Sequence, residues 1–373
     1  MTLPRGQRPK VLHFVTGGFS GATQVAVDLV RAHGASGRFD ALLVLRRKRT
    51  TLPERVRALQ ADGLRVELVP GWSHAATVWA LASLCRRFQP DILVAHGYSE
   101  HLWGRYAGLL AGVRHLVHVE HNSRERYNAW RLVQARWLAR RTDAIVGCSE
   151  GVRSALLGYG FPQDRVHAIP NGIRLEPYAN APAHTFVQRI PGIVMAARFA
   201  RQKDHATLLQ AVALLRTRGL RPPVLLAGGG KASARRAAER LAQTLGLADQ
   251  VTFLGHCNDV PGLLKGHQIC VLSTHYEGMP LSLIEGMAAG CAVVGSQVVG
   301  VQEVVDSGRT GLLVEHANPQ ALADALATLL NQPQDAARMA AAAHAEVLQR
   351  YGLNTMTDRY EALLGSLLEK PVL

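Results

Sequence analysis

Apolar residues gather in short runs, and residues of helical period separate most of them. Strand signals recur at 10–16, 41–45, 65–69, 92–95, 115–119 and 144–148, short runs rich in Val, Leu and Ile. Helical spacing fills 23–33, 54–62, 78–88, 102–111 and 124–141. Strand and helix in alternation predict a parallel sheet with helices on both sides. The turn Ile169-Pro170-Asn171-Gly172-Ile173 ends this half. Residues 175–189, with Pro177, Asn180, Ala181, Pro182 and His184, lack periodicity and read as a linker.

The alternation then restarts. Strands are predicted at 192–197, 224–227, 251–254, 269–273, 292–295 and 311–314. Helices are predicted at 206–218, 233–245, 260–265, 281–289, 302–306, 319–331, 336–350 and 353–368. The chain thus reads as α/β: two Rossmann-like, doubly wound domains at 1–175 and 176–350, then a C-terminal helix within 351–373. No apolar run approaches the ~18–20 residues that span a bilayer. The run 11–15 is too short for a signal-peptide core, so a cytoplasmic location is expected. Five scattered cysteines (85, 148, 257, 270, 291), none in a Cys-x-x-Cys pair, are expected to be free thiols in a reducing compartment.

Charge divides the halves. Residues 1–175 hold 25 Lys/Arg against 12 Asp/Glu, whereas 176–373 hold 17 against 16. A basic first half suggests an anionic partner: lipid headgroups, a phosphorylated acceptor or nucleic acid. A merely soluble, Arg-rich surface is the alternative. Within 124–141, Arg124, Arg126, Arg131, Arg136, Arg140 and Arg141 interleave with Tyr127, Trp130 and Trp137. That mixture suits a membrane interface, or ordinary packing with a basic outer face.

Candidate chemistry lies at strand ends, where ligands bind in open parallel sheets. Gly17-Gly18 follow the first strand, as a phosphate cradle or a tight turn. His96-Gly97 and Glu120-His121-Asn122 follow two others. In the second half, Arg198 and Lys203 follow a strand and could clamp a diphosphate, Arg by its planar fork and Lys as a point charge. Gly228-Gly229-Gly230 and His256 end two more strands; the backbone at His256 could read a base edge or be a plain strand end. The richest stretch is Glu277-Gly278-Met279-Pro280-Leu281-Ser282-Leu283-Ile284-Glu285. It reads as elbow and helix start, with backbone N–H groups and a helix dipole suited to an anion. Glu277 and Glu285 flank it and can accept sugar hydroxyls, which suggests a nucleotide sugar. No Asp-x-Asp and no His/Cys cluster has metal-ligand spacing, so neither metal nor cofactor is expected.

These features together resemble the retaining glycosyltransferases of family 4, which have the GT-B fold of two facing Rossmann-like domains with the donor cleft between them. The Gly17-Gly18 turn, Glu120-His121-Asn122, Pro170-Asn171-Gly172, Arg198 with Lys203, and the Glu277/Glu285 spacing carry the resemblance, over essentially the whole chain. It implies that Arg198 and Lys203 hold the diphosphate and Glu285 the ribose. Glu277 and the backbone from Gly278 through Met279, Pro280 and Leu281 to Ser282 would hold donor sugar and phosphate. His121, Gly17, Gly18, Asn171 and His256 would lie near the donor. The last helix would return to the first domain. Where the family usually has Ala, this chain has Gly286, a departure expected only to weaken a helix slightly. The implied activity is transfer from a nucleotide-diphosphate donor, a UDP-sugar above others, to a saccharide or lipid-linked acceptor of bacterial surface polysaccharide. The implied place is the inner face of the cytoplasmic membrane. A glycosidase, a nucleotide-sugar epimerase of the same fold and a basic nucleic-acid-binding protein are the alternatives; nucleic acid is not the expected partner, and no pattern specifies an oligomeric state.

Overall fold

The computed structural model describes residues 8–124, 127–179 and 185–369. Arg126 of the predicted basic helix, and Asn180, Ala181, Pro182 and His184 of the predicted linker, lie outside them. The chain forms two compact units, Met1–Gly172 with Leu353–Leu373, and Ile173–Gly352.

The first unit runs β1 (Lys10–Thr16), α1 (Gly21–Ser36), β2 (Asp40–Arg46), α2 (Pro53–Ala61), β3 (Val66–Val69), α3 (His74–Phe88), β4 (Ile92–His96), α4 (Tyr98–Ala111), β5 (His115–Glu120), α5 (Ala129–Ala139), β6 (Ala144–Gly147), α6 (Glu150–Gly158) and β7 (Val166–Ala168). The second runs α7 (Glu176–Ala179), β8 (Ile190–Ala196), α8 (His205–Thr217), β9 (Val224–Ala227), α9 (Ala232–Thr244), β10 (Val251–Gly255), α10 (Val260–Lys265), β11 (His267–Leu272), α11 (Leu281–Ala288), β12 (Ala292–Ser296), α12 (Val299–Gln302), β13 (Leu312–Val314), α13 (Pro319–Asn331) and α14 (Pro333–Arg350). Helix α15 (Leu353–Glu369) packs on the first unit.

Both sheets are parallel, ordered β3-β2-β1-β4-β5-β6-β7 and β10-β9-β8-β11-β12-β13. The strand order reverses between β1 and β4 in one, and between β8 and β11 in the other, the crevice where such sheets bind ligands. In the first unit, strand alternation sorts the core onto two faces. Val11, Ile92, Val94, Val117 and Val119 meet Val25 and Leu29 of α1 and Met356, Tyr360 and Leu364 of α15. Leu12, Phe14, Leu93, Ala95 and Leu116 meet Leu81 and Phe88 of α3 and Ala107 of α4.

The basic helix starts later than its composition suggests. Asn128 accepts the Arg131 N–H at 2.8 Å and caps α5, so Arg124 and Tyr127 precede the helix. Ala135, Leu138 and Ala139 of α5 are buried, while Trp130, Val133 and Trp137, at i, i+3 and i+7, share the exposed side.

Candidate functional site

At the switch point of the second sheet, two loops zip together. One follows β8 and closes in a 3₁₀ turn, Arg201–Lys203; the other follows β11. The His275 N–H donates to Gln202 O at 2.8 Å, and Gln202 Nε2 to Tyr276 O at 2.7 Å. Ser273 Oγ donates to Asp204 O at 3.0 Å, and the Thr274 N–H to Ser296 Oγ at 3.0 Å. Asp204 takes a left-handed conformation (φ 32°), and its side chain accepts from the backbone and hydroxyl of Thr207, starting α8.

This zipper places Lys203 Nζ 2.5 Å from Glu277 Oε1. Thr274 Oγ1 donates to the same oxygen at 2.8 Å. Glu277 is buried, at 5% exposure, and its lysine is nearly so. Sequence reasoning assigned Lys203 to a phosphate and Glu277 to a sugar; the structure joins them into one charge-assisted unit. Arg198, two residues after β8, is exposed and makes no ion pair among the described residues.

Gly278, Met279 and Pro280 are buried in the elbow, and α11 begins at Leu281 with Ser282 next. No side chain caps its N-terminus; the Leu281 and Leu283 N–H groups donate to Met279 O and Pro280 O at 3.1 and 2.9 Å, which leaves the Ser282 N–H of the first turn for an anion. A Cβ on Gly300 would meet Gly278 O at 2.5 Å and Glu277 O at 2.7 Å, so the start of α12 lies directly against this elbow. Glu285 lies in the second turn of α11, half-buried, and burial pushes its carboxyl up to about 7. Gly286 is more than a weak helix residue: a Cβ there would lie 2.7 Å from Cys270 Cβ and Sγ. The glycine lets α11 sit close on β11, which corrects the expectation of a minor departure. His256, after β10, is exposed.

In the first unit, Gly17 is a structural necessity. Its N–H donates to Arg46 O at 2.8 Å, and a Cβ would lie 2.7 Å from that oxygen. Gly18 has room around it. Asn171 is buried, and its Oδ1 has no partner among the described residues. His121 follows β5, with the Glu120 carboxylate accepting the N–H groups of His121 (2.8 Å) and Asn122 (3.2 Å). Burial pushes its imidazole down to about 4, so it is neutral. Sequence reasoning missed a buried ionic group at the same sheet edge. Glu100 pairs with Lys48 at 2.9 Å and Arg46 at 3.5 Å, and Arg46 also reaches His74 Nδ1 at 3.0 Å. The position of Arg46 at the end of β2 was the available signal.

His101, His118 and Glu120 each place a donor atom within 4.8 Å of the others, a geometry compatible with a metal. The hydrogen bonds argue against one. Buried Arg105 donates to His101 Nδ1 at 2.5 Å, and a guanidinium only donates. The His101 proton therefore sits on Nε2, against Tyr127 Oη at 2.8 Å. Its lone pair is taken, and the buried guanidinium would repel a cation. Burial lowers Arg105 to about 10, with Glu120 among the groups that favour its charge.

Comparison with known proteins bears on the whole chain. The family model for glycosyltransferase family 4 matches residues 19–177, and that for glycosyl transferases group 1 matches 181–346. The chain is 33% identical over 218 residues to the putative glycosyltransferase EpsF of Bacillus subtilis (strain 168), covering 54% of this chain and 56% of that protein. It is 26% identical over 238 residues to the lipopolysaccharide core biosynthesis glycosyltransferase LpsE of Rhizobium meliloti (strain 1021), covering 61% and 65%. These matches span between half and two thirds of those two relatives. The structure of Anabaena Alr3699/HepE in complex with UDP and glucose is similar at TM-score 0.84 and 21% identity, over 96% of this chain and 100% of that one. With two parallel Rossmann-like sheets, the fold is GT-B, and the chain belongs to the family 4, group 1 glycosyltransferases.

Proposed function

We propose that the chain moves a glycosyl group from a UDP-sugar to a saccharide hydroxyl, with retention at the anomeric carbon. The observation that carries this reading is the Lys203–Glu277 bridge at the second sheet's switch point, three residues before the N-cap Pro280 of uncapped helix α11. Arg198 and Lys203 hold the diphosphate and offset charge on the departing group. The backbone from Gly278 to Ser282 cradles phosphate and sugar, Glu285 takes the ribose hydroxyls, and His256 lies by the base. The bond from C1 to the β-phosphate oxygen breaks. The acceptor oxygen bonds to C1 on the same face, and its proton passes to the departing phosphate. Glu277, bridged by Lys203 and Thr274, orients a sugar hydroxyl and forms no covalent adduct. In the first unit, His121 is assigned to accept from a sugar hydroxyl, and Gly17, Gly18 and Asn171 are assigned to donor binding.

Cationic side chains and the α11 N-terminus do the work of a divalent ion, so no metal is required. A relative named for lipopolysaccharide core biosynthesis, and a structural neighbour holding UDP and glucose, support the acceptor and donor classes. The acceptor is a lipid-linked saccharide of a bacterial surface polysaccharide, met where the enzyme rests on an anionic membrane. Exposed Trp130 and Trp137 on α5, with Arg141 stacked 3.9 Å from the Trp137 ring centre, suit that interface. No helix among the described residues is long and apolar enough to cross a membrane. Calorimetric titration with UDP and GDP in EDTA tests the donor site. UDP binding tighter than GDP, lost in Lys203→Met, agrees with the reading; no UDP binding, or binding only with a divalent ion, overturns it. Conversion of a UDP-sugar to its epimer without transfer would favour the epimerase.

A further inference from the structure

Three histidines form a row across the first sheet. His13 lies on β1, His96 ends β4, and His121 follows β5. These strands are neighbours, and the register sets the row. His13 stands opposite Val94, and His96 is two residues beyond. His96 stands opposite Val119, and His121 is two residues beyond. A step of two keeps each side chain on one face, here the face that α1 and α15 cover. The row therefore climbs diagonally to the C-terminal edge.

The rings are bonded in series. His121 Nε2 lies 3.3 Å from His96 Nδ1, and His96 Nε2 lies 3.0 Å from His13 Nδ1. The His13 ring packs against His33 of α1, with centroids 5.3 Å apart. His33 Nδ1 reaches Glu361 Oε1 of α15 at 3.1 Å, both groups buried. Burial lowers the pKa of all four imidazoles, those of His13 and His96 far below the ordinary value. The chain is neutral, and its only freedom is where each ring carries its proton.

Each bond needs one donor and one acceptor, so the tautomers move together. Glu361 also accepts from Ser36 Oγ at 2.7 Å and pairs with Arg38 at 3.2 Å. As a carboxylate it only accepts, which fixes the His33 proton on Nδ1 and leaves Nε2 bare. In one chain state, His13 carries its proton on Nε2 beside His33. In the other, two bare, buried Nε2 lone pairs share that ring contact. No hydrogen bond joins these two atoms or pairs either with another group among the described residues, so the difference is electrostatic: a proton set beside the His33 lone pair in the first state, a second lone pair in the other.

We propose that His96 and His13 are positioning residues that fix the tautomer of His121: every ring of the row carries its proton on Nε2, directed toward the Glu361 end, and His121 Nδ1 is presented as a bare acceptor. His121 Nδ1 is buried and unpartnered among the described residues, so a hydroxyl that donates to it supplies a missing bond. That this hydroxyl belongs to a sugar rests on the proposed function; the tautomer does not.

Long-range proton–nitrogen correlation spectra of the ligand-free chain with ¹⁵N-histidine decide the matter. They are assigned through His96→Gln and His121→Gln. Expected are Nε2–H tautomers for His13, His96 and His121. In His13→Phe, His96 loses its acceptor and the His121 signals move toward a tautomer mixture. His13→Asn places an amide oxygen near the former Nδ1 and restores the wild-type pattern. A His121 that carries its proton on Nδ1 in the wild type overturns the proposal, as does a His121 signal indifferent to His13→Phe. Should His13→Phe fail to fold, the wild-type tautomers and His13→Asn still decide. Absence of UDP binding with the tautomers as stated would sink the proposed function and leave the row intact.

Discussion

Replacing Lys203 with methionine keeps the reach of the side chain and removes its charge. Glu277 then stays buried, at 5% exposure, without the ammonium 2.5 Å away. Removing one partner of a buried ion pair costs about 3–5 kcal/mol, mostly from the charge left behind. For a unit the size of Ile173–Gly352, each kcal/mol moves the midpoint by about 2–4 °C, so its melting transition should fall by roughly 6–20 °C. Pairing Lys203→Met with Glu277→Leu removes both charges, and an apolar pair of similar volume is often neutral for stability. The double variant should therefore melt within a few degrees of the wild type. Turnover should remain lost in both, because one donor to the developing charge is worth about 10²–10³ in rate. Scanning calorimetry and UDP release, on the four proteins of the cycle, separate the two duties. A Lys203→Met protein less than about 1 kcal/mol destabilised would refute the burial argument. A double variant with wild-type turnover would refute the clamp.

Four further outcomes are expected. Glu285 has its carboxyl raised from 4.5 to about 7. A raised acid is destabilising once ionised: the fold is favoured below pH 4.5 and loses stability as pH rises towards 7, by roughly 3 kcal/mol in total. Glu285→Gln should thus stabilise the chain at pH 8 and flatten denaturation midpoints across that window; an unchanged pH profile would count against it. If the ribose bonds the ionised form, UDP affinity should fall up to about tenfold per pH unit below 7, and Glu285→Gln should abolish that slope. Gly286→Ala forces a methyl onto Cys270, 2.7 Å away, and should cost about 1–3 kcal/mol despite better helix propensity; an equal or higher melting point would refute the close packing. Trp130→Ser with Trp137→Ser should reduce sedimentation with vesicles rich in anionic lipid, and wild-type binding should weaken with salt; unchanged binding would exclude the α5 face.

The fold was legible where apolar runs were long. The twelve strands read from periodicity all appear, with ends shifted by a residue or two. Short elements escaped: β7 has three residues, and α6 is signalled mainly by Ser149, whose side chain accepts the Val152 N–H. The elbow and its two glutamates were legible because they sit within one stretch. The bridge between Lys203 and Glu277 was not, since it joins residues 74 apart and depends on β8 lying beside β11. The histidine row was hidden for the same reason: residues 13, 96 and 121 become a series only through strand register. Gly286 showed the limit of propensity, because its role depends on which residue of β11 lies beneath.

Retaining transfer from a UDP-sugar is decided by incubating the chain with ¹³C-labelled UDP-sugars, EDTA and lipid-linked saccharides extracted from a bacterial membrane, then reading the product C1 by NMR. Expected are one UDP released per sugar transferred and a C1 configuration unchanged from the donor. An inverted C1, a free sugar as the main product, or an epimerised UDP-sugar with no transfer would contradict it.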